Sequence, residues 1–329
     1  MATRVRSEAA SKGRSPIPTV GWVALTAIAP VTWGTTYLVT TELLPERHPV
    51  FAAFMRTLPP GLLGLLIVRR LPRGDWWWKS FVLGGLNMAA FFPLLFIAAQ
   101  HLPGGVAATL GAIQPLVVAL LAWLILREHL TVLRVFWSVL GAFGVSMVVL
   151  GPEASMDPLG VLAGLGGAVS MGAGVVLTKR WGRPEGAGSM TIASWQLSAA
   201  GVLLVVPALA IDGVPPDIDA RAISGYTWLG LVGALIAYSL FFAGIARLPV
   251  TSTALLGLLS QLTAAALGVV VAGESLNAVQ LLGFAIALTA MVAAQIAAAR
   301  TPQQSEGADQ STANPNASQS EAHRSKENA

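Results

Sequence analysis

Long apolar runs that hold no Asp, Glu, Lys or Arg are the feature that most constrains how this chain folds. Runs of this kind, each with 20 or more residues, occupy positions 15–41, 159–178, 186–211, 222–246, 248–273 and 275–299. A bilayer core about 30 Å thick needs roughly 20 apolar residues of helix. Only 11% of the residues are charged, whereas a soluble protein averages about 25%. The pattern predicts an all-α polytopic membrane protein.

Ten transmembrane helices fit these runs. We place them at residues 20–41, 50–68, 80–100, 104–126, 134–151, 159–178, 189–211, 226–246, 250–272 and 278–298. The basic segment 1–19 resembles the start of a signal peptide, but the apolar run after it is too long, so we interpret it as a retained helix. Residues 299–329 have almost no large apolar side chains and are expected to form a disordered tail.

The distribution of positive charge predicts the orientation. With the N-terminus inside, all of the 20 Lys and Arg residues except Arg47, Arg56 and Arg221 lie on the inner side. Positive residues are enriched in short cytoplasmic loops. Both termini are therefore expected in the cytoplasm, and Trp76, Trp77 and Trp78 are expected to anchor the third helix at the membrane interface.

Composition also excludes several classes of function. The chain has no Cys, and its four His residues are scattered, so we expect no disulfide framework, no metal and no cofactor. No phosphate-binding loop or hydrolase motif occurs. The sequence pI of about 9.8 follows from the basic inner side, and we expect no nucleic-acid partner. The lipid bilayer is the expected environment.

An internal repeat appears when the chain is shifted by 146 residues. Leu102-Pro103 then matches Leu248-Pro249, Leu110-Gly111 matches Leu256-Gly257, and Glu128 matches Glu274. Five helices in each half is an odd number, so the second half would enter the membrane from the opposite side. The repeat predicts two inverted five-helix halves, the arrangement of many alternating-access carriers.

Motifs in this order carry a resemblance to a known family. They are Trp33-Gly34-Thr35-Thr36, Phe54-Met55-Arg56, Leu102-Pro103 through Gln114-Pro115, Glu128-x-Leu130 and Gly273-Glu274-Ser275-Leu276. Together they resemble the drug/metabolite transporter superfamily of the EamA type. The resemblance covers about residues 20–298. Arg127 departs from it, since a small residue is common at that loop position.

The resemblance implies two EamA-like repeats, at residues 20–151 and 152–298. It implies a carrier of small metabolites, often an exporter, in a bacterial inner membrane. It also implies a central cavity walled by helices one, three, four, six, eight and nine. The small-molecule substrate, the direction of transport and the choice between monomer and homodimer do not follow from the residues.

Polar and aromatic side chains within the predicted helices are the candidates for substrate contact. They are Trp33, Thr36, Tyr37, Asn87, Phe91, Thr109, Gln114, Ser170, Tyr238 and Gln261. The aromatic members favour an amino-acid-like, amphipathic or drug-like solute. A lone Ser or Thr in a membrane helix more often bonds its own backbone, so the amides and Tyr238 are the stronger candidates.

A second set is assigned to gating or structure: Arg56, Pro93, Pro115, Glu128 and Glu274. Arg56 is the one charge inside a predicted span, and it either attracts an anionic substrate or bonds helix-end carbonyls. Pro93 and Pro115 are expected to kink their helices. No acidic residue lies near the middle of a span, which favours uncoupled transport or exchange over proton coupling through Glu128 or Glu274.

Two other classes are weighed against transport. An enzyme would need a cluster of catalytic side chains in the spans, and none is present in the sequence. A sensor or assembly subunit would need a soluble module, and the predicted loops are short. Within transport, a nucleotide-sugar or lipid carrier is the main alternative, and a basic patch facing the cavity would be its sign.

Overall fold

Helices make up the regular structure of the described chain. The computed structural model describes residues 18–45, 47–101, 110–128, 131–149, 157–272 and 277–300, and it contains no strand among them. Helices are expected here, because a lipid-embedded backbone must satisfy its hydrogen bonds within its own segment. Residues 1–17 of the expected basic N-terminal segment and 301–329 of the expected disordered tail lie outside the described residues, whereas residues 299 and 300 are helical.

Most of the described residues belong to α-helices. In order they are α1 (Thr19–Gly34), α2 (Thr36–Leu43), α3 (Pro49–Val68), α4 (Trp76–Gly84), α5 (Phe91–His101), α6 (Gln114–Leu121), α7 (Val132–Val149), α8 (Pro158–Trp181), α9 (Ser189–Pro207), α10 (Ala220–Thr227), α11 (Ala237–Arg247), α12 (Val250–Leu256), α13 (Leu259–Ala272) and α14 (Ala278–Arg300). Four π-helical segments extend α4, α6, α9 and α10, at Gly85–Ala89, Ala122–Leu126, Ala208–Asp212 and Trp228–Ile236.

Seven helical stretches of the described chain are long and apolar enough to cross a membrane. Three further apolar helices, Gln114–Leu126, Val135–Met147 and Ala278–Ala294, have 10–17 residues. The expected all-helical membrane protein is confirmed in this form, while the count of ten spans stays a prediction. Two helix starts differ from expectation by four residues or more. The third predicted span begins at Trp76, and the eighth begins at Ala220, because the Asp219 carboxylate accepts a hydrogen bond from Ala222 N at 2.8 Å and caps the helix there.

Helix pairing follows a regular pattern. The pair α3 and α9 and the pair α7 and α14 pack together extensively. In addition, α1 packs against α11 and α13, while α8 packs against α5 and α6. In the predicted repeat, each helix has a counterpart 146 residues away along the chain. When every helix is replaced by its counterpart, the contacts of α1 become those of α8. The same exchange leaves the other two pairs unchanged.

Glycines allow close contact between α3 and α9. A Cβ atom added at Gly61 would lie 2.5 Å from the Ser198 nitrogen, and one added at Gly201 would lie 2.5 Å from the Leu58 Cα. Real Cβ atoms do not approach backbone this closely. The two helices therefore pack backbone to backbone, as small residues allow in membrane bundles.

The start of α3 is held by the end of the α9 segment. Val50 N and Phe51 N donate to the same Asp212 oxygen, at 2.6 and 2.9 Å. The first N–H groups of a helix have no partner within the helix, and a carboxylate also interacts favourably with the positive end of the helix dipole. Asp212 thus joins the two halves at this end of the bundle.

The three tryptophans near Lys79 divide into two groups. Trp77 and Trp78 are each half exposed, whereas Trp76 is buried and packs against Trp195 with ring centroids 5.9 Å apart. All three lie in the first turn of α4, but their side chains point in different directions. Trp76 faces inward and therefore cannot act as an exposed anchor. The expected interfacial position remains for Trp77 and Trp78.

We expect Gly201→Ala to destabilise the protein, because the added methyl group collides with the Leu58 backbone. Overpacking of this kind costs about 1–3 kcal/mol. Thermal unfolding in detergent measures the effect. Gly188→Ala is the matched control, since no atom lies within 4 Å of a Cβ added there, and an equal loss in both variants would contradict the close contact.

Candidate functional site

A cavity of about 290 Å³ lies among helices from both predicted halves. Its size is near the lower end of the range typical of small-molecule sites, about 300–1,000 Å³. The residues lining it are Trp33, Thr36, Thr40, Arg56, Phe91, Phe92, Leu95, Ala98, Gly111, Gln114, Gly164, Gly167, Ala168, Met171, Tyr238, Phe241, Ala254, Gly257, Ser260 and Gln261.

Broken helices border the cavity at equivalent places in the two halves. The predicted fourth span is interrupted at Ala112 and Ile113 and restarts as α6, and the predicted ninth is interrupted at Gly257 and Leu258 before α13. Pro115 therefore lies in the first turn of α6, where a helix needs no N–H from it. The expected mid-helix kink at Pro115 is instead a helix start. Membrane carriers commonly place substrate sites at such breaks.

Lining residues also form pairs under the shift of 146 residues. Phe92 pairs with Tyr238, Leu95 with Phe241, Gly111 with Gly257, and Gln114 with Ser260, and all eight line the cavity. Each half thus contributes the same four positions to one space. The repeat seen in the sequence coincides with the walls of the cavity.

Six of the predicted substrate-contact residues line this cavity: Trp33, Thr36, Phe91, Gln114, Tyr238 and Gln261. Arg56, assigned to gating or structure, lines it as well. Thr109 and Glu274 lie outside the described residues, as does the side chain of Tyr37. Contact of any of these residues with substrate stays a prediction.

Asn87 and Ser170 lie away from the lining. Asn87 is fully buried, and its Nδ2 donates to Gln196 Oε1 at 2.8 Å and to Thr178 Oγ1 at 3.4 Å. Ser170 Oγ donates to the Leu86 carbonyl at 2.8 Å. Both side chains hold α8 against the π-helical segment after α4. Pro93 borders a separate apolar surface groove.

Aromatic rings form one wall of the cavity. The Trp33 ring centroid lies 4.9 Å from that of Tyr238 and 5.0 Å from that of Phe241. Phe91 and Phe92 lie 5.6 Å apart on α5. Tilted rings at these distances attract one another, so the wall is preorganised for a flat apolar group.

The Gly233 carbonyl joins three helical segments behind this wall. It accepts a hydrogen bond from Trp33 Nε1 at 2.9 Å and another from an Arg56 guanidinium nitrogen at 3.3 Å. Arg56 is only 6% exposed, and its guanidinium lies 4.8 Å from the centroid of the Phe92 ring. A carbonyl acceptor and a ring face both stabilise a buried cation. The carbonyl that Arg56 bonds lies within the π-helical segment Trp228–Ile236 and not at a helix end, and contact of Arg56 with substrate stays a prediction.

The amide of Gln261 faces the cavity from α13. With its nitrogen turned toward the helix break, Gln261 donates to the carbonyls of Gly257 at 3.1 Å and Leu258 at 3.2 Å. Both carbonyls also accept main-chain hydrogen bonds at the start of α13, Gly257 O from Ser260 N at 3.0 Å and Leu258 O from Leu262 N at 3.3 Å. The side chain thus stabilises the break and presents its oxygen to the cavity.

Basic side chains at the C-terminal end of α8 bind neighbouring helix ends. Lys179 Nζ donates to the carbonyls of Ile245 at 2.8 Å and Leu248 at 3.0 Å, and Arg180 donates to the Ile125 carbonyl at 2.8 Å. Glu128 interacts electrostatically with Lys179. These contacts tie α8 to the ends of α11 and of the α6 segment.

At the opposite end of α8, Asp157 caps the helix. Its carboxylate accepts a hydrogen bond from Gly160 N at 3.0 Å and lies 3.5 Å from His101 Nδ1 of α5. The Gly160 hydrogen bond, together with nearby His101, lowers the pKa of Asp157 below its usual value. Asp157 therefore carries its negative charge beside the α5 terminus at neutral pH.

Several lining residues were missed by the sequence analysis. Phe241 follows Tyr238 by three positions, a spacing that places both on one face of a helix. Gly164, Gly167 and Met171 have the same kind of spacing on α8. Small and aromatic residues spaced along one helical face would have indicated them, whereas the candidates were chosen as individual polar or aromatic side chains.

The two halves of the chain each match the same known family. The EamA-like transporter family matches residues 20–150 and again residues 158–294. The chain belongs to the EamA-like transporter family. Its predicted resemblance to this family is confirmed.

Curated relatives support membership of the EamA-like family over most of the chain. Protein PecM of Dickeya dadantii (strain 3937) is 38% identical over 81% of this chain and 90% of its own length. The uncharacterized inner membrane transporter YedA of Escherichia coli (strain K12) is 26% identical over 80% of this chain and 86% of its own. A solved crystal structure shares the fold, with a TM-score of 0.69 over 84% of this chain and 99% of its own, at 20% identity.

We expect water to reach the cavity of this EamA-like protein. In membranes, Ser260→Cys should react with a hydrophilic maleimide, because Ser260 lines the cavity. Leu120→Cys should stay unlabelled, because Leu120 is 51% exposed on the outside of the bundle, where lipid excludes the reagent. The chain has no native cysteine, so labelling reports these positions alone. Equal labelling of both variants would contradict the assignment of the cavity.

Proposed function

We propose that this membrane transporter moves a small organic metabolite out of a bacterial cell, across the inner membrane, by alternating access through the cavity described above. The observation that carries the proposal is that both halves line one cavity with equivalent residues. Membership of the EamA-like family supports transport as the general activity. The relative YedA, whose name places it in the inner membrane, supports the location.

The helix contacts support an alternating mechanism. Exchange of the two halves converts the contacts of α1 into those of α8. A second conformation, in which each half adopts the arrangement of the other, would therefore have the same kinds of helix contact. In an inverted repeat, that second conformation opens toward the other side. We assign ten spans and inverted halves to the chain on this basis.

The present conformation is proposed to open outward. On α2 and α5, the lining reaches Thr40 and Ala98, which lie near the C-terminal ends of these helices. With the N-terminus inside, those ends face outward. At the inner end, Lys179 and Arg180 tie α8 to its neighbours. Inward opening would require these hydrogen bonds to break.

The cavity favours a metabolite over a nucleotide sugar. Within the described chain, Arg56 is the one charged residue among the lining residues, whereas a diphosphate would require several cations. No acidic residue lines the cavity in the same part of the chain. We therefore propose uncoupled transport or exchange as the mode of transport. In this proposal Glu128 acts at the inner end of the bundle, through its electrostatic interaction with Lys179.

Reconstitution in liposomes tests the proposal. Liposomes loaded with a panel of labelled metabolites should release at least one solute, and Tyr238→Ala or Gln114→Ala should reduce that release at least tenfold by removing cavity walls. Leu120→Ala, on the outer surface of α6, is the control. Release that proceeds equally in the cavity variants and in wild type would contradict transport through this cavity.

The same liposomes test coupling. Release should be the same with and without a pH gradient, and Glu128→Gln should not change that independence. A requirement for the gradient that disappears in Glu128→Gln would show proton coupling through the inner rim instead.

Loss of the Lys179 side chain should favour the inward-open form. Lys179→Met removes two charge-assisted hydrogen bonds, each contributing about 1.5–3 kcal/mol, and each 1.4 kcal/mol changes an equilibrium about tenfold. Labelling of Ser260→Cys from the outside of right-side-out vesicles should therefore slow at least tenfold. Arg183→Met is the control, because the hydrogen bond seen for Arg183 goes to the Ser189 hydroxyl at the start of α9 and not to a carbonyl of α11 or of the α6 segment. Unchanged outside labelling in Lys179→Met would argue against an inner closure at this residue.

A further inference from the structure

The cavity combines one positive charge with an otherwise uncharged, aromatic lining. Arg56 supplies the charge, and Trp33, Phe91, Phe92 and Tyr238 supply rings. No Asp or Glu lines the cavity within the described residues. The charge is only 6% exposed, so water screens it weakly and its field acts on whatever occupies the cavity.

Arg56 is held in a defined orientation. Its guanidinium bonds the Gly233 carbonyl and lies over the Phe92 ring. These two contacts fix the position of the charged group. A guanidinium recognises a planar carboxylate with paired hydrogen bonds. A flat molecule that contacts the aromatic wall can therefore place an acidic group near this cation.

A substrate amine would find no carboxylate partner among the described residues that line this cavity. An ammonium group in the same space would meet the like charge of Arg56, and no lining carboxylate in the described chain would compensate it. A like charge in a desolvated site lowers affinity sharply. A phosphate ester carries about −1.5 to −2 charges at pH 7, which one arginine does not balance.

We propose that the substrate class of this cavity is an aromatic monocarboxylate without an amino group, with Arg56 as the residue that determines specificity. This inference rests on the proposed transport function and names its substrate chemistry. It excludes lipophilic cations and gives amino acids second rank. The aromatic wall binds the ring of the substrate, and Arg56 binds the carboxylate.

Four compounds with one ring and different charges test the assignment. Phenylacetate is an anion, phenylacetamide is its neutral analogue of nearly equal shape, phenethylamine is a cation, and phenylalanine carries both charges. Binding to the full-length purified protein is measured by tryptophan fluorescence and by the shift of thermal unfolding. Phenylacetate should bind at least tenfold more tightly than phenylacetamide, and phenethylamine should bind most weakly.

Variants of Arg56 test whether this residue causes the expected order of affinities. Arg56→Gln should remove the preference of phenylacetate over phenylacetamide, and Arg56→Lys should retain part of it, because the charge stays while the planar fork is lost. Arg221→Gln is the matched control, since Arg221 is exposed and bonds the Glu42 carbonyl outside the cavity. If Arg56→Gln does not fold, the order of affinities in wild type and the preference measured in Arg56→Lys still test the assignment.

The possible results separate this inference from the proposed function. Equal or tighter binding of phenylacetamide, phenethylamine or phenylalanine by wild type would overturn the substrate class, as would an unchanged preference in Arg56→Gln. Absence of phenylacetate binding would overturn it too. The transport proposal would survive each of these results as long as release of another solute still depends on Tyr238 and Gln114.

Discussion

The hydrogen bonds at the Gly233 carbonyl hold the centre of this bundle together. Trp33 from α1 and Arg56 from α3 both donate to it, so three segments far apart in sequence meet at one oxygen. A charge at this depth costs about 3 kcal/mol to insert, and the carbonyl and the Phe92 ring offset part of that cost. The aromatic wall of the cavity depends on this arrangement, because Trp33 packs on Tyr238 and Phe241 from the same position.

Close backbone packing and open space occur in different parts of the same bundle. Between α3 and α9, Gly61 and Gly201 bring two backbones together without a gap. Around the cavity, glycines such as Gly111 and Gly257 instead stand beside broken helices and leave room. The same residue type thus serves packing in one place and a cavity in another, and the difference comes from the neighbouring helices. Local sequence does not distinguish the two uses.

Part of the site was predictable from residue type. Trp33, Phe91, Gln114 and Gln261 were chosen as polar or aromatic groups within apolar spans, and they line one cavity. Asn87 was chosen by the same reasoning and is instead bonded to Gln196 and Thr178 inside the bundle. A buried amide needs partners wherever it lies, so residue type predicts that Asn87 is bonded but not to which group.

The class of the fold, the family and the internal repeat follow from the order of the residues alone. Long apolar runs require helices in a bilayer, and the shift of 146 residues relates positions that line the same cavity, such as Phe92 and Tyr238. Packing of the helices sets which face of each helix lines the cavity, where the predicted fourth span restarts, at Gln114, and how Arg56 reaches the Gly233 carbonyl. An apolar helix in a membrane shows only a weak contrast between its faces, because lipid and protein interior are alike in polarity, so only packing against other helices determines which side chains line the cavity.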